Sequence, residues 1–170
     1  METSKIKEII DQHAQKYRGS CSPSLAEMLL KIEGVVPLDY YEEQERDKDN
    51  NVGLGNIANR TIKDRTFRCL PNTSGTESFR ERVDELLASG RPVGIYTETS
   101  PSKFHGYVIA GKDQGKYVLL SKHSEEGAGQ GRITETVLLS KQELDALKDR
   151  DCIYLEAPTL PTAPNSTAGP

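Results

Sequence analysis

Hydrophobic residues in the first half of the chain recur at the spacing of an α-helix. One stripe follows the i, i+3, i+4, i+7 rule and consists of Leu25, Met28, Leu29 and Ile32. Such a stripe predicts a helix with one buried side. Gly34 is the glycine that typically follows a helix C-terminus. Similar spacing predicts further helices over residues 3–17 and 77–89.

From Pro92 onward the hydrophobic residues alternate with polar ones, which is the period of a β-strand. Strands are predicted over residues 92–98, 105–110, 116–122, 133–139 and 152–155. The glycine-bounded stretch 111–115 is typical of a hairpin turn. Helices followed by antiparallel strands predict an α+β fold, with an N-terminal helical half packed on a C-terminal antiparallel sheet.

Two polar stretches are predicted to lie outside the core. The charged run at residues 42–49 is expected to be a solvated surface segment. Residues 158–170 are rich in proline and threonine and bury too little surface to offset ordering, so a disordered tail is expected. The chain is therefore interpreted as one domain over residues 1–157 and a tail over 158–170.

Charge and composition argue against several classes of function. The formal net charge of −4 does not suit a basic surface for nucleic acid. No apolar run approaches the ~18 residues of a membrane helix. Cys21, Cys69 and Cys152 are too widely spaced for a disulfide framework or a zinc site. We therefore expect no metal, no organic cofactor and no membrane partner, and synthesis in a reducing cytosol.

Cys21 stands at the predicted start of the Leu25-containing helix. Ser20 or Ser22 could cap the first turn, and Ser24 with Glu27 has the form of a capping box. Free amide donors and the positive end of a helix dipole favour a thiolate over a thiol. A cysteine in this place is either an inert core residue or a nucleophile.

A thiol nucleophile needs a base, and His105 is the best candidate. It opens a predicted strand, and Gly106 beside it leaves room for an approaching side chain. The alternative is a structural histidine without a chemical role.

Taken together, these motifs resemble the papain-like cysteine peptidase superfamily, and most closely the bacteriocin-leader peptidase domains. In that family a glutamine precedes the cysteine by about six positions, as Gln15 precedes Cys21 here. The helix start, the "Gly-x-Pro-Val" strand and the histidine strand of that family are matched, in order, by residues 21–26, 90–95 and 104–109. The resemblance covers about residues 10–157.

The resemblance implies a role for each of these residues. Cys21 would be the nucleophile, and His105 would be its general base and then the acid for the leaving group. Gln15 would donate its side-chain amide to the oxyanion, together with the backbone N–H of Cys21. It also implies a papain-like fold.

The third catalytic position departs from the family pattern. The family has Asp or Asn at the end of the strand after the histidine, whereas this strand ends with Ser121, Lys122 and His123. A hairpin near residues 113–115 puts Ser121 diagonal to His105 on the same face, and Lys122 on the other face. Ser121, or less favourably His123, is therefore the expected orienting group.

The predicted function is thiol-dependent hydrolysis or transfer at an amide or isopeptide bond, through an acyl-enzyme on a protein or peptide substrate. The serine at position 121 keeps a catalytically silent binding module open as an alternative, and a peptidoglycan amidase with a Cys–His core is a third. The type of fold also fits a bacterial effector secreted without a classical signal, although fold alone does not fix function.

Overall fold

The computed structural model describes residues 2–17, 19–50, 52–70, 77–100, 103–122, 134–147 and 151–158. The helices in these ranges are α1 (Thr3–Asp11), α2 (Cys21–Ile32), α3 (Glu42–Asp47), α4 (Leu54–Ile57), α5 (Glu77–Ala88) and α6 (Lys141–Asp145). The strands are β1 (Thr61–Ile62), β2 (Arg65–Leu70), β3 (Val93–Ser100), β4 (Lys103–Asp113), β5 (Lys116–Lys122), β6 (Thr134–Leu139) and β7 (Asp151–Leu155).

The strands form one antiparallel sheet in the order β1-β2-β7-β3-β4-β5-β6. The predicted α+β class is confirmed. The β4–β5 hairpin turns within the predicted stretch, at Gln114 and Gly115. Both residues have positive φ, of 51° and 79°. That backbone suits the right-handed twist of the flanking strands.

Helices cover both faces of the sheet. On one face α1 and α2 bury alternate residues of the central strands, among them Val108, Val118, Leu120 and Ile153. On the other face α5 and α6 cover the intervening residues, among them Ile95, Tyr107, Ile109 and Leu119. Burying each such large side chain stabilises the fold by roughly 1.5–3 kcal/mol. The alternation therefore fixes which side chains of β3 and β4 can meet α2.

Two glycines face helix α2 where it packs on the sheet. A Cβ at Gly94 would lie 3.1 Å from the Leu25 side chain. A Cβ at Gly106 would lie 3.3 Å from the same side chain and 3.7 Å from the carbonyl oxygen of Cys21. The start of α2 therefore lies against the segment of β4 that carries His105.

Two sequence predictions about the helical half are wrong. The first helix ends at Asp11 rather than near residue 17. The charged run is not a solvated segment, because Glu43, Gln44 and Asp47 of α3 are buried. Tertiary hydrogen bonds explain both results, since the Gln44 amide donates to the carbonyl of Ala14 at 2.9 Å.

Glu27 is the buried residue that holds α3 in place. Its Oε2 accepts hydrogen bonds from the backbone N–H groups of Glu43 and Gln44 at 2.9 and 3.0 Å. Its Oε1 accepts from the Gln44 amide at 2.7 Å. The predicted capping box is therefore wrong, because Ser24 and Glu27 both lie inside α2 and contact other elements.

The other predicted elements agree with the structure to within a few residues. His123 and residues 159–170 of the predicted tail lie outside the described residues. None of the described helices is both long and apolar enough to cross a bilayer.

Candidate active site

Cys21 is the first residue of α2 and is half-buried. Ser20 occupies the N-cap position, but its side chain makes no capping bond. The Ser20 hydroxyl instead lies 2.7 Å from Oε1 of Gln44. Cys21 is thus held at the start of α2 by packing against β4 and by the link from Ser20 to α3.

Burial raises the pKa of the Cys21 thiol, and this effect outweighs the hydrogen bonds that lower it. Those bonds come from the Tyr96 hydroxyl and from the backbone and side chain of Ser22. The backbone donors at the helix start do favour the thiolate, as the sequence predicted, but burial has the larger effect. Desolvation of the charged form is the larger effect, so the resting group is a thiol that needs a base to become a nucleophile.

Tyr96 is a site residue that the sequence reasoning missed. It lies on β3 directly opposite Gly106, and its hydroxyl is hydrogen-bonded to the sulfur of Cys21. Burial, reinforced by Cys21, raises the pKa of Tyr96 to about 12. The hydroxyl therefore keeps its proton at neutral pH and donates a hydrogen bond to the sulfur, which favours the thiolate form of Cys21.

His105 lies on β4, where it pairs with Thr97 of β3. Its Nε2 is 2.7 Å from the carbonyl oxygen of Lys122. A carbonyl can only accept a hydrogen bond, so Nε2 carries the hydrogen of the ring. In the neutral ring the lone pair is then on Nδ1, which is the nitrogen that can take a proton.

Cys21 and His105 approach the same segment of β4 from different sides. Gly106 faces α2 and lies beside the Cys21 carbonyl. The side chain of the neighbouring His105 lies on the same face of β4 as that of Tyr107. The two rings make an edge contact with their centroids 5.5 Å apart. The structure thus brings the start of α2 and His105 to one end of the sheet.

Gln15 is buried in the segment that joins α1 to α2. Its side-chain amide donates to the carbonyl of Tyr17 at 3.1 Å. That bond fixes the Gln15 side-chain amide in the segment that precedes the N-terminus of α2. The oxyanion role of Gln15 stays a prediction.

The side chain of Ser121 points to the same face of the sheet as Leu119, and that of Lys122 points to the opposite face. The Lys122 ammonium reaches the carbonyl of Asp11 in α1 at 3.3 Å, so the predicted division of these two side chains between the faces is correct. The buried Ser121 hydroxyl donates to the carbonyl of Gly106 at 2.7 Å. Ser121 therefore braces the backbone beside His105, while the Lys122 carbonyl orients the ring.

A buried polar network fixes the segment that carries Gln15. The Lys31 ammonium donates to Nδ1 of His13 at 2.8 Å, so Nε2 of this ring donates to the Ser24 hydroxyl at 2.9 Å. Burial, and then the charge of Lys31, lowers the pKa of His13 well below its usual value. His13 is therefore neutral, and its 3.9 Å approach to Glu27 is not an ion pair. This network is structural.

The described residues contain no group of three or more His, Cys, Asp or Glu side chains that could hold a metal ion. In comparisons with known proteins, no protein-family model matches the chain and no curated protein is significantly similar to it.

Proposed function

We propose that the protein is a thiol-dependent hydrolase or acyl transferase of the papain-like type, acting at an amide or isopeptide bond of a protein or peptide. The observation that carries the proposal is the bond from His105 Nε2 to the Lys122 carbonyl. It leaves Nδ1 as the basic nitrogen of a ring beside the segment on which Cys21 packs. A half-buried thiol with a raised pKa is the group that needs such a base.

The first half of the reaction forms the acyl-enzyme. Nδ1 of His105 takes the thiol proton while the sulfur of Cys21 attacks the substrate carbonyl carbon. A C–S bond forms and the carbonyl π electrons move to oxygen, where the Cys21 backbone N–H and the Gln15 amide stabilise the oxyanion. The oxyanion collapses, the C–N bond breaks, and the leaving amine takes the proton from Nδ1.

The second half releases the acyl group. Water, or an acceptor amine in the transferase case, gives a proton to Nδ1 and attacks the thioester carbon. The C–S bond breaks and the sulfur regains the proton, so the enzyme returns to its starting state. The His105 ring lies on the face of β4 that carries Tyr107, opposite to the face on which α2 packs. The proposal therefore adds to the observed contacts that Nδ1 reaches the Cys21 sulfur around the end of the strand, within hydrogen-bond distance.

Because a backbone carbonyl, and not a carboxylate, accepts the hydrogen bond from His105, we expect a slow enzyme. A carboxylate stabilises the imidazolium by charge, whereas the Lys122 carbonyl offers only a dipole. The Nε2–H bond to a carbonyl nevertheless holds the tautomer and the ring orientation. We therefore expect a kcat at the low end of the usual range for enzymes, about 1 per second.

Trapping of the acyl-enzyme tests the proposal. The chain is incubated with a library of peptide thioesters, and its intact mass and tryptic peptides are recorded. We expect one acyl group on Cys21, which disappears in Cys21→Ala and falls at least about 100-fold in His105→Ala. Cys69→Ala is the matched control, because Cys69 is exposed and far from His105 in the sheet order. Acylation of Cys69 in preference to Cys21 contradicts the proposal. Equal acylation of Cys21 in the original chain and in His105→Ala contradicts it as well.

One observation favours a second candidate, the catalytically silent binding module. Burial raises the pKa of Cys21, as it does for a cysteine that serves only as a small core residue. A silent module predicts no acylation at position 21 by any thioester. If acylation occurs, release of amines from peptidoglycan fragments rather than from protein substrates would identify an amidase acting on cell-wall material.

A further inference from the structure

The side chain of Gln44, in α3, is completely buried. Its amide nitrogen donates hydrogen bonds to the carbonyl of Ala14 at 2.9 Å and to Oε1 of Glu27 at 2.7 Å. Its oxygen accepts one from the backbone N–H of Lys16 at 2.7 Å and lies 2.7 Å from the Ser20 hydroxyl. Because a backbone N–H only donates and a carbonyl only accepts, these contacts fix which way the amide is turned.

Two of the contacts lie on either side of Gln15. The Ala14 carbonyl belongs to the peptide group before Gln15, and the Lys16 N–H belongs to the one after it. Each peptide group is planar, so holding both restricts the two backbone dihedral angles of the residue between them. The described residues that join α1 to α2 form no helix or strand, so side-chain contacts of this kind determine their backbone.

A third contact leads to the side chain of Gln15. The Ser20 hydroxyl also lies 2.8 Å from the carbonyl oxygen of Tyr17, and it shares its one hydrogen between that carbonyl and Gln44. The same Tyr17 carbonyl accepts the hydrogen bond of the Gln15 amide at 3.1 Å. Gln44 thus holds the backbone of Gln15 directly and, through Ser20, the group that orients its amide.

The docking of α3 depends on a different part of Gln44. Its backbone N–H and that of Glu43 donate to Oε2 of Glu27 at 3.0 and 2.9 Å. A substitution at position 44 keeps these backbone bonds and removes only those of the side chain. A buried amide with its partners in place selects one arrangement of its surroundings, whereas an apolar side chain of the same size only fills the space.

We propose that Gln44 is a positioning residue, which holds the amide of Gln15 where the oxyanion forms. This role rests on the proposed thiol chemistry and deepens it. Donors to an oxyanion act because they are fixed before the reaction, and a displacement of about 1 Å in such a site costs about 100-fold in rate. Gln44 therefore affects attack on a carbonyl, where an oxyanion forms. It does not affect alkylation of the same thiol, where none forms.

Two reactions at Cys21 separate this role from a structural one. Gln44→Met keeps the length of the side chain and removes its polar contacts. Acylation by the peptide thioester that reacts fastest with the original chain should fall at least about tenfold, and alkylation by iodoacetamide should change less than about threefold. Tyr40→Phe is the matched control, because it removes the 2.5 Å bond to Glu43 of the same helix and should leave both rates unchanged. Equal losses in the two reactions, or no loss of acylation, overturn the proposal.

A double-mutant cycle shows whether Gln44 acts through Gln15. Gln15→Ala alone should lower the acylation rate about 100-fold. Adding Gln44→Met should then lower it less than about threefold further, because the donor that Gln44 positions is already absent. A combined loss equal to the product of the two single losses overturns the proposal.

Ser20→Ala provides the same cycle if Gln44→Met does not fold. It removes one link between Gln44 and the Tyr17 carbonyl, so acylation should fall about fivefold in the original chain and less than about twofold in Gln15→Ala. Equal losses in both backgrounds overturn the proposal. No acylation of Cys21 in the original chain rejects the proposed function together with this role, whereas the other contrary results reject the role of Gln44 alone.

Discussion

The Nε2 atom of His105 lies 2.7 Å from the carbonyl oxygen of Lys122. This relationship shows which ring nitrogen carries the hydrogen. The carbonyl can only accept a hydrogen bond, so the hydrogen is on Nε2 and Nδ1 is the basic nitrogen. In this chain a backbone carbonyl orients the histidine, in the place where the sequence predicted a serine hydroxyl. A backbone group cannot be removed by changing a side chain, so the orientation of His105 tolerates variation at position 122.

Ser121→Ala separates the two candidate orienting groups. It removes the 2.7 Å bond to the Gly106 carbonyl and leaves the bond from His105 to Lys122 in place. We expect the free energy of unfolding to fall by about 1 kcal/mol, and the rate of Cys21 alkylation to change less than about threefold. Denaturant unfolding and mass spectrometry measure the two quantities. A loss of reactivity as large as that in His105→Ala would make Ser121 the orienter.

Tyr96→Phe tests the hydrogen bond to the thiol. The Tyr96 hydroxyl lowers the pKa of Cys21, so its removal raises that pKa further. Because a raised pKa leaves less thiolate at a given pH, the pH profile of Cys21 alkylation should move to higher pH. At pH 7 the rate should fall about two- to tenfold, which is the effect expected of one ordinary hydrogen bond. Phenylalanine keeps the ring, so an unchanged profile would show that the hydroxyl does not act on the sulfur.

Gly106→Val tests the close approach of α2 to β4. Even a single Cβ there would lie 3.3 Å from Leu25 and 3.7 Å from the Cys21 carbonyl, and valine adds two methyl groups. We expect a loss of about 1–3 kcal/mol in stability and a larger loss of reactivity at Cys21. Gly55→Ala is the control, because nothing lies within 4 Å of a Cβ at that position. Full reactivity in a folded Gly106→Val variant would contradict the proposed packing of the site.

Glu27→Ala tests the buried network that supports Gln15. The change removes the acceptor of three hydrogen bonds, from the backbone of Glu43 and from the backbone and side chain of Gln44. Buried donors left without partners cost about 1–3 kcal/mol each, and relaxation recovers part of this, so we expect a loss of about 3 kcal/mol. Glu8→Ala, on the exposed side of α1, should change stability by less than about 0.5 kcal/mol. Thermal and denaturant unfolding of both variants gives the comparison, and equal losses would contradict a supporting role for Glu27.

Local patterns in the sequence predicted most of the fold. The stripe of α2 and the alternation of β3, β4 and β5 depend only on near neighbours, and the structure agrees with them. The burial of α3 could not be predicted in the same way. Glu43 and Gln44 look solvated by composition. Tertiary contacts offset the cost of burying them, among them the bonds to Glu27, sixteen and seventeen residues away.

The candidate site was predictable only in part. Cys21 and His105 are residue types with recognisable chemistry, so the sequence drew attention to both. Tyr96 gave no such signal, because its contact with Cys21 depends on the register that places it opposite Gly106. The Lys122 acceptor is a backbone carbonyl, which every residue carries and no residue type marks.

The most direct test of the central claim compares the alkylation rates of the three cysteines by iodoacetamide near pH 7. Accessibility alone predicts that exposed Cys69 reacts fastest, half-buried Cys21 more slowly and buried Cys152 last. Activation by His105 predicts the opposite order for the first two, with Cys21 at least about tenfold faster than Cys69 and its advantage lost in His105→Ala. If Cys69 reacts fastest in the original chain, and His105→Ala leaves the rate at Cys21 unchanged, His105 does not act on this thiol and the proposed chemistry is wrong.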